Sequence, residues 1–189
     1  MTALDLDGTA MTLTINQIGS SNIFRSDGIN SDNVTGYFDF QGDSNVLDIL
    51  LNSNGAYSAD YANLNVQVAG GSNIFDIEIA EASNADYLDL DWIIDGDNNE
   101  FEFDIDYENA TNYIDIFGDS NELTFNGSGY AGTSSSDSGY FYLDLDGSSN
   151  TFSITQSSTL ARDWLKITTN GSNSTFCVVQ SDGGTSTTC

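Results

Sequence analysis

The sequence has no histidine, no proline, three basic residues, two cysteines and no apolar run long enough to span a membrane. Each shortage excludes something. Without histidine the usual general base and the commonest neutral metal ligand are missing. Two cysteines without histidine cannot complete a structural zinc site. No Ser–His or Cys–His pair and no phosphate-binding Gly-x-x-x-x-Gly-Lys loop exist, so no enzyme is expected. Arg25, Arg162 and Lys166 cannot assemble the basic surface that a phosphate backbone or an anionic bilayer requires, which excludes nucleic acid and membrane as expected partners. No basic segment followed by an apolar one opens the chain, so no Sec-type signal is read at Met1-Thr-Ala-Leu-Asp-Leu-Asp-Gly.

What is present is acid and pattern. The 189 residues carry 29 Asp plus Glu and a formal net charge of −26. Residues 151–189 hold Asp163 and Asp182 against Arg162 and Lys166 and are neutral, so residues 1–150 carry the whole excess. Hydrophobic residues make up 39% and aromatics 12%, enough to form a core and too much for a solvated coil.

A four-residue box recurs: Gly19-Ser-Ser-Asn22, Gly42-Asp-Ser-Asn45, Gly70-Gly-Ser-Asn73, Gly96-Asp-Asn-Asn99, Gly118-Asp-Ser-Asn121, Gly147-Ser-Ser-Asn150 and, with Ser for the last Asn, Gly171-Ser-Asn-Ser174. The glycines are 22 to 29 residues apart, the period of a solenoid rung. Four residues before each Gly stand Ile15, Phe38, Val66, Trp92, Ile114, Leu143 and Ile167. Two after each box stand Phe24, Leu47, Phe75, Phe101, Leu123, Phe152 and Phe176. Apolar residues alternating on both sides of a Gly/Asn turn predict strand, turn, strand, with Gly and Asn at the positive-φ positions. One such unit cannot bury its apolar face, whereas stacked units share a core. The expected fold is therefore all-β, a single-domain β-solenoid over 1–189. It has about seven rungs between residues 11 and 180, roughly 34 Å of rod, and a C-terminal cap or tail at 181–189. A β-sandwich of hairpins is the competing architecture. The longest connections, Asn52 to Tyr61 and Gly127 to Gly139, read as loops along one edge.

The boxes resemble the curlin repeat, whose Gln-x-Gly-x-x-Asn motif is matched at Gln17-Ile-Gly19-Ser-Ser-Asn22-Ile-Phe24, with further glutamines at Gln156 and Gln180. The resemblance spans about Met11 to Gln180 and implies one rung per repeat and extracellular fibres. The chain departs from it in keeping the first glutamine only at Gln17 and in using large aromatic core residues.

Stacking aligns Asp48, Asp76 and Glu102 on successive rungs, with Glu78 and Asp104 two residues further on. These five carboxylates form a candidate cation patch, with calcium the fitting ion, beside the alternative of a solvated acidic face. Tyr37, Tyr113 and Tyr142 share an outward position five before the Gly, suited to an interface, to a sugar, or to plain cross-strand packing. Cys177 and Cys189 form a candidate disulfide or remain two thiols. Trp164, Arg162 and Lys166 mark the neutral end as a candidate docking end. Three function classes follow. The preferred one is a structural virion component of a bacteriophage: a capsid decoration, spike or tail-fibre element. The others are a curli-like bacterial surface fibre and a calcium- or carbohydrate-binding surface module. The expected location is a virion surface or the extracellular space, the expected partners other virion or fibre proteins, and the expected assembly a homo-oligomer.

Overall fold

The computed structural model describes residues 4–51, 61–79, 87–107, 109–129, 138–158 and 162–182. It is all-β among the described residues, and every strand pairs in parallel. In chain order the strands are β1 (Leu4–Asp7), β2 (Met11–Ile18), β3 (Ile23–Asn30), β4 (Val34–Gln41), β5 (Val46–Leu51), β6 (Asn63–Ala69), β7 (Ile74–Ile79) and β8 (Leu88–Asp95). They continue as β9 (Glu100–Tyr107), β10 (Ala110–Phe117), β11 (Glu122–Gly129), β12 (Ser138–Asp146), β13 (Thr151–Ser158), β14 (Arg162–Asn170) and β15 (Thr175–Asp182). The odd strands form one sheet in the order β1-β3-β5-β7-β9-β11-β13-β15. The even strands form the other, β14-β12-β10-β8-β6-β4-β2. The chain thus winds as a β-solenoid. Each Gly box carries it from the even sheet to the odd one, and the seven boxes bound six full turns.

Register follows the boxes. Ile15, Phe38, Val66, Trp92, Ile114, Leu143 and Ile167 are paired one above another through the even sheet. Leu47, Phe75, Phe101, Leu123, Phe152 and Phe176 are paired in the odd sheet. Between the sheets lies one core in which Trp92, Phe75, Phe101 and Phe103 interlock, the Trp92 ring edge-on to each phenyl at 4.8 to 6.4 Å. The inward aromatics predicted from alternation are therefore core, with Phe40, Trp92, Phe103 and Phe125 fully enclosed.

The box turn differs from expectation in one respect. The expected positive φ at Gly is found, for instance 118° at Gly19 and 120° at Gly42. The second positive-φ position is the third residue, not the final Asn: Ser21, Ser44, Ser72, Asn98, Ser120, Ser149 and Asn173 lie at 57 to 61°. The final Asn is instead buried and forms a ladder. The N–H of Asn45 donates to Asn73 Oδ1 (2.8 Å), that of Asn73 to Asn99 Oδ1 (2.9 Å), that of Asn99 to Asn121 Oδ1 (2.9 Å) and that of Asn121 to Asn150 Oδ1 (2.7 Å). The Nδ2 groups of Asn22, Asn45, Asn73, Asn121 and Asn150 donate to a box carbonyl, as Asn45 does to Gly42 O at 2.9 Å, and that of Asn99 donates to Asn121 Oδ1. The side chain satisfies backbone groups that a turn would otherwise bury unpaired. The Gly is required for a steric reason as well. A Cβ on Gly42, Gly70, Gly96, Gly118, Gly147 or Gly171 would collide with the carbonyl of the glycine one rung before.

Two boundaries also move. The expected loop from Gly127 to Gly139 is shorter at both ends, because β11 runs to Gly129 and β12 starts at Ser138. In β3 the ladder slips between Arg25 and Ile29, next to Ser26, which keeps the inward position of its column. Its hydroxyl accepts from the Leu50 N–H at 2.8 Å and donates to the Leu50 carbonyl at 3.5 Å, restoring bonds the slip removes.

Candidate functional site

The outer surfaces of the two sheets hold the candidate residues, because alternation sends every second side chain outward. On the odd sheet, Asp48, Asp76 and Glu102 are ladder partners, as are Glu78 and Asp104. The predicted columns are present. Burial, then the charges of Asp48 and Asp104, raise the Asp76 carboxyl above its ordinary 3.8. Burial, then Asp76, Asp104 and Glu100, raise Glu102 above 4.5. At the N-terminal end Arg25 stands in the same column and meets Asp48 at 3.6 Å. At the other end Asn126 Nδ2 donates to Asp104 Oδ1 at 2.8 Å. These two partners escaped the sequence reading, although both fall in register with the acids. The carboxylates stay in straight rows: among the described residues no group of three or more acids or cysteines is arranged to hold a metal ion.

The even sheet carries a second acidic set. Asp115 pairs with Asp144 on one side and lies near Asp91 across the sheet. Burial, then Asp144 and Asp91, raise the Asp115 carboxyl, and burial, then Asp91, raise that of Asp89. Asn63 donates to Asp89 Oδ2 at 3.1 Å, and Asn65 to Asp91 Oδ2 at 3.3 Å.

The same sheet also displays aromatics. Tyr37, Tyr113 and Tyr142 share one column as expected, but only Tyr113 and Tyr142 touch, at 5.5 Å. Asn65 and Asp91 separate them from Tyr37. Tyr61 and Tyr87, nine before their glycines, stack at 4.9 Å and 10°. Tyr140 and Trp164, seven before theirs, stack at 5.8 Å and 12°. Lys166 Nζ sits 4.6 Å from the Tyr142 ring centroid. Between the two stacks, on the β10 rung, the corresponding positions hold the short Asn109 and Thr111. The result is a cleft of about 510 Å³ lined by Tyr87, Asp89, Asn109, Thr111, Tyr113 and Tyr140.

The expected docking residues lie on β14, the terminal strand of the even sheet at the neutral end. Trp164 is 55% exposed there, Lys166 covers Tyr142, and Arg162 opens β14. At the tip itself the core columns come to the surface: Phe176 and Val178 are 36% and 40% exposed, where Phe152 and Ile154 one rung earlier are enclosed. Cys177 is disulfide-bonded. Cys189, the chain's other cysteine, lies outside the described residues, as do most of the expected tail at 181–189 and the loop residues 52–60. No family model, curated protein or solved structure matches this chain, so membership of the curlin-repeat family has no support beyond the motif itself.

Proposed function

We propose that the chain is a non-enzymatic structural protein displayed on a surface, in the first place a bacteriophage virion component such as a capsid decoration, spike or tail-fibre element, acting as a homo-oligomer. The observation that carries the reading is the polarity of the rod. The strands before residue 150 face solvent with rows of carboxylates. The last turn is neutral and presents Trp164, Phe176 and Val178 to solvent. An acidic shaft repels its own copies side by side, and an apolar, neutral end suits attachment to a larger body. The test is localisation: antibodies raised against the chain should label the surface of purified particles, and Trp164→Ala should reduce attachment. Recovery only as free protein, or attachment indifferent to Trp164, would sink the proposal.

A fibre reading is favoured by a separate observation. Among the described residues, the edge strands β1 and β2 at one end and β14 and β15 at the other each have one neighbour within their sheet. Unpaired edges in parallel register invite head-to-tail addition. Purified protein would then form thioflavin-positive filaments at physiological salt, whereas a stable monomer or trimer would decide for the first reading.

A further inference from the structure

We infer that the cleft over β10 is a binding site for an organic ammonium group of the quaternary, choline-like class. Four observations meet there. First, the cleft ends on ring faces. In the Tyr61–Tyr87 pair the rings are nearly parallel and separated by about one rung, so Tyr87 turns its other face along the rod toward β10. By the same geometry Tyr140, covered on one side by Trp164, turns its free face back toward β10. Second, Tyr113 flanks the β10 rung between them and is 47% exposed.

Third, the gap has the right width. Tyr87 and Tyr140 stand one rung to either side of β10, roughly 9.6 Å apart along the rod and offset by two residues along the strand. A cation at the midpoint lies within about 6 Å of both ring centroids, the range in which an aromatic face attracts a positive charge. The small Asn109 and Thr111 leave that volume open. Fourth, the charge is complementary. Asp89 lines the cleft; Asn63 engages its Oδ2, and its Oδ1 makes no hydrogen bond among the described residues. Asp91 adds a second carboxylate nearby, within a chain of net charge −26.

The adjoining groove shows the same chemistry within the chain. It is lined by Tyr113, Tyr140, Tyr142, Trp164 and Lys166, and there an ammonium already rests on a tyrosine face at 4.6 Å. A neutral sugar would use the rings and donate hydroxyls to the carboxylates but gain nothing from the negative field, and an anionic one would be repelled. A trimethylammonium group uses both, and its methyl groups need no hydrogen bonds from the rings.

The experiment titrates tetramethylammonium and choline into the full-length protein, followed by calorimetry and by shifts of the tyrosine resonances. Sodium chloride at matched ionic strength serves as one reference and 3,3-dimethylbutanol, the uncharged isostere of choline, as another. Saturable binding of both cations is expected, with the isostere at least about tenfold weaker. Tyr140→Ala and Asp89→Asn should each weaken binding by about five- to tenfold. Thr111→Tyr, which extends the Tyr140–Trp164 stack onto the β10 rung and fills the gap, should abolish binding while the melting transition is retained; if that variant fails to fold, the other two decide. Phosphatidylcholine vesicles separate the sources: co-sedimentation competed by choline assigns the lipid headgroup, and choline binding without co-sedimentation assigns a free cation. Shifts no larger than those from sodium chloride, equal affinity for the isostere, or binding indifferent to both Tyr140→Ala and Asp89→Asn would overturn the assignment.

Discussion

Asn99 illustrates what one residue does in this fold. Its Oδ1 accepts from both the N–H (2.9 Å) and the Nδ2 (3.0 Å) of Asn73, while its own N–H and Nδ2 donate to Asn121 Oδ1. Asn99→Ala strands a buried N–H on the rung before it. The expected loss is about 3 kcal/mol, measured as a shift in the urea midpoint at unchanged slope. The third box position has the opposite sign. Ser120 holds φ at 60°, a conformation Asn tolerates better than Ser, and Asn98 and Asn173 already occupy it in their boxes. Ser120→Asn should stabilise by on the order of 0.5 kcal/mol, read from the same denaturation curve. Gly118→Ala should cost on the order of 3 kcal/mol or prevent folding, because its Cβ meets the Gly96 carbonyl.

At the scale of strands and their rows, the carboxylates set the pH response. The folded state raises Asp76, Asp89, Asp115 and Glu102 above their ordinary 3.8 and 4.5, chiefly by burial and then by like charge. A raised carboxyl binds its proton more readily folded than unfolded, so stability falls as pH rises through the folded value. The melting temperature should therefore climb as pH is lowered from neutrality, and the gain should be complete below the ordinary values, the reverse of common acid denaturation. Asp76→Asn should raise the neutral-pH melting temperature and flatten that slope; an unchanged slope would show that the odd-sheet row is screened out.

These rows were legible in the sequence because two simple periods intersect there: the alternation along a strand and the box that restarts the count at every rung. Knowing the box, one can place Asp48 over Asp76 and Trp92 over Ile114 without coordinates. Less legible was anything outside that count. The slip in β3 shows in the sequence only as Ser26 where its neighbours have Ile49 and Ile77, a departure without a direction. Tyr61 and Tyr87 share the position nine before the Gly, but they precede their strands at positive φ, where alternation no longer tells which way a side chain points, so the count alone did not announce their stack. Tyr140 and Trp164 share a column that counting from the box would have exposed. The Asn ladder was visible as a repeated letter, but its role as backbone acceptor depends on the Ser before it taking the left-handed turn.

For the whole molecule, charge and length are the controlling quantities. A net charge of −26 works against compaction, and monovalent salt should raise the melting temperature in proportion to screening, steeply below about 0.1 M and weakly above. Calcium beyond the effect of matched ionic strength would indicate specific binding, which rows of separate carboxylates do not favour.

The boxes vary in spacing from 22 to 29 residues, yet Gly stacks on Gly without interruption. Apart from the slip in β3, the surplus is therefore absorbed on the opposite edge, where odd strands return to even ones. That edge acts as a graduated rule: the strand ends that flank each connection stand at a height fixed by their rung, at multiples of about 4.8 Å, whatever the number of residues between them. Segments of different size and sequence can be exchanged there without altering the interval between them, which makes the fold a means of holding unrelated peptides at set distances along a line.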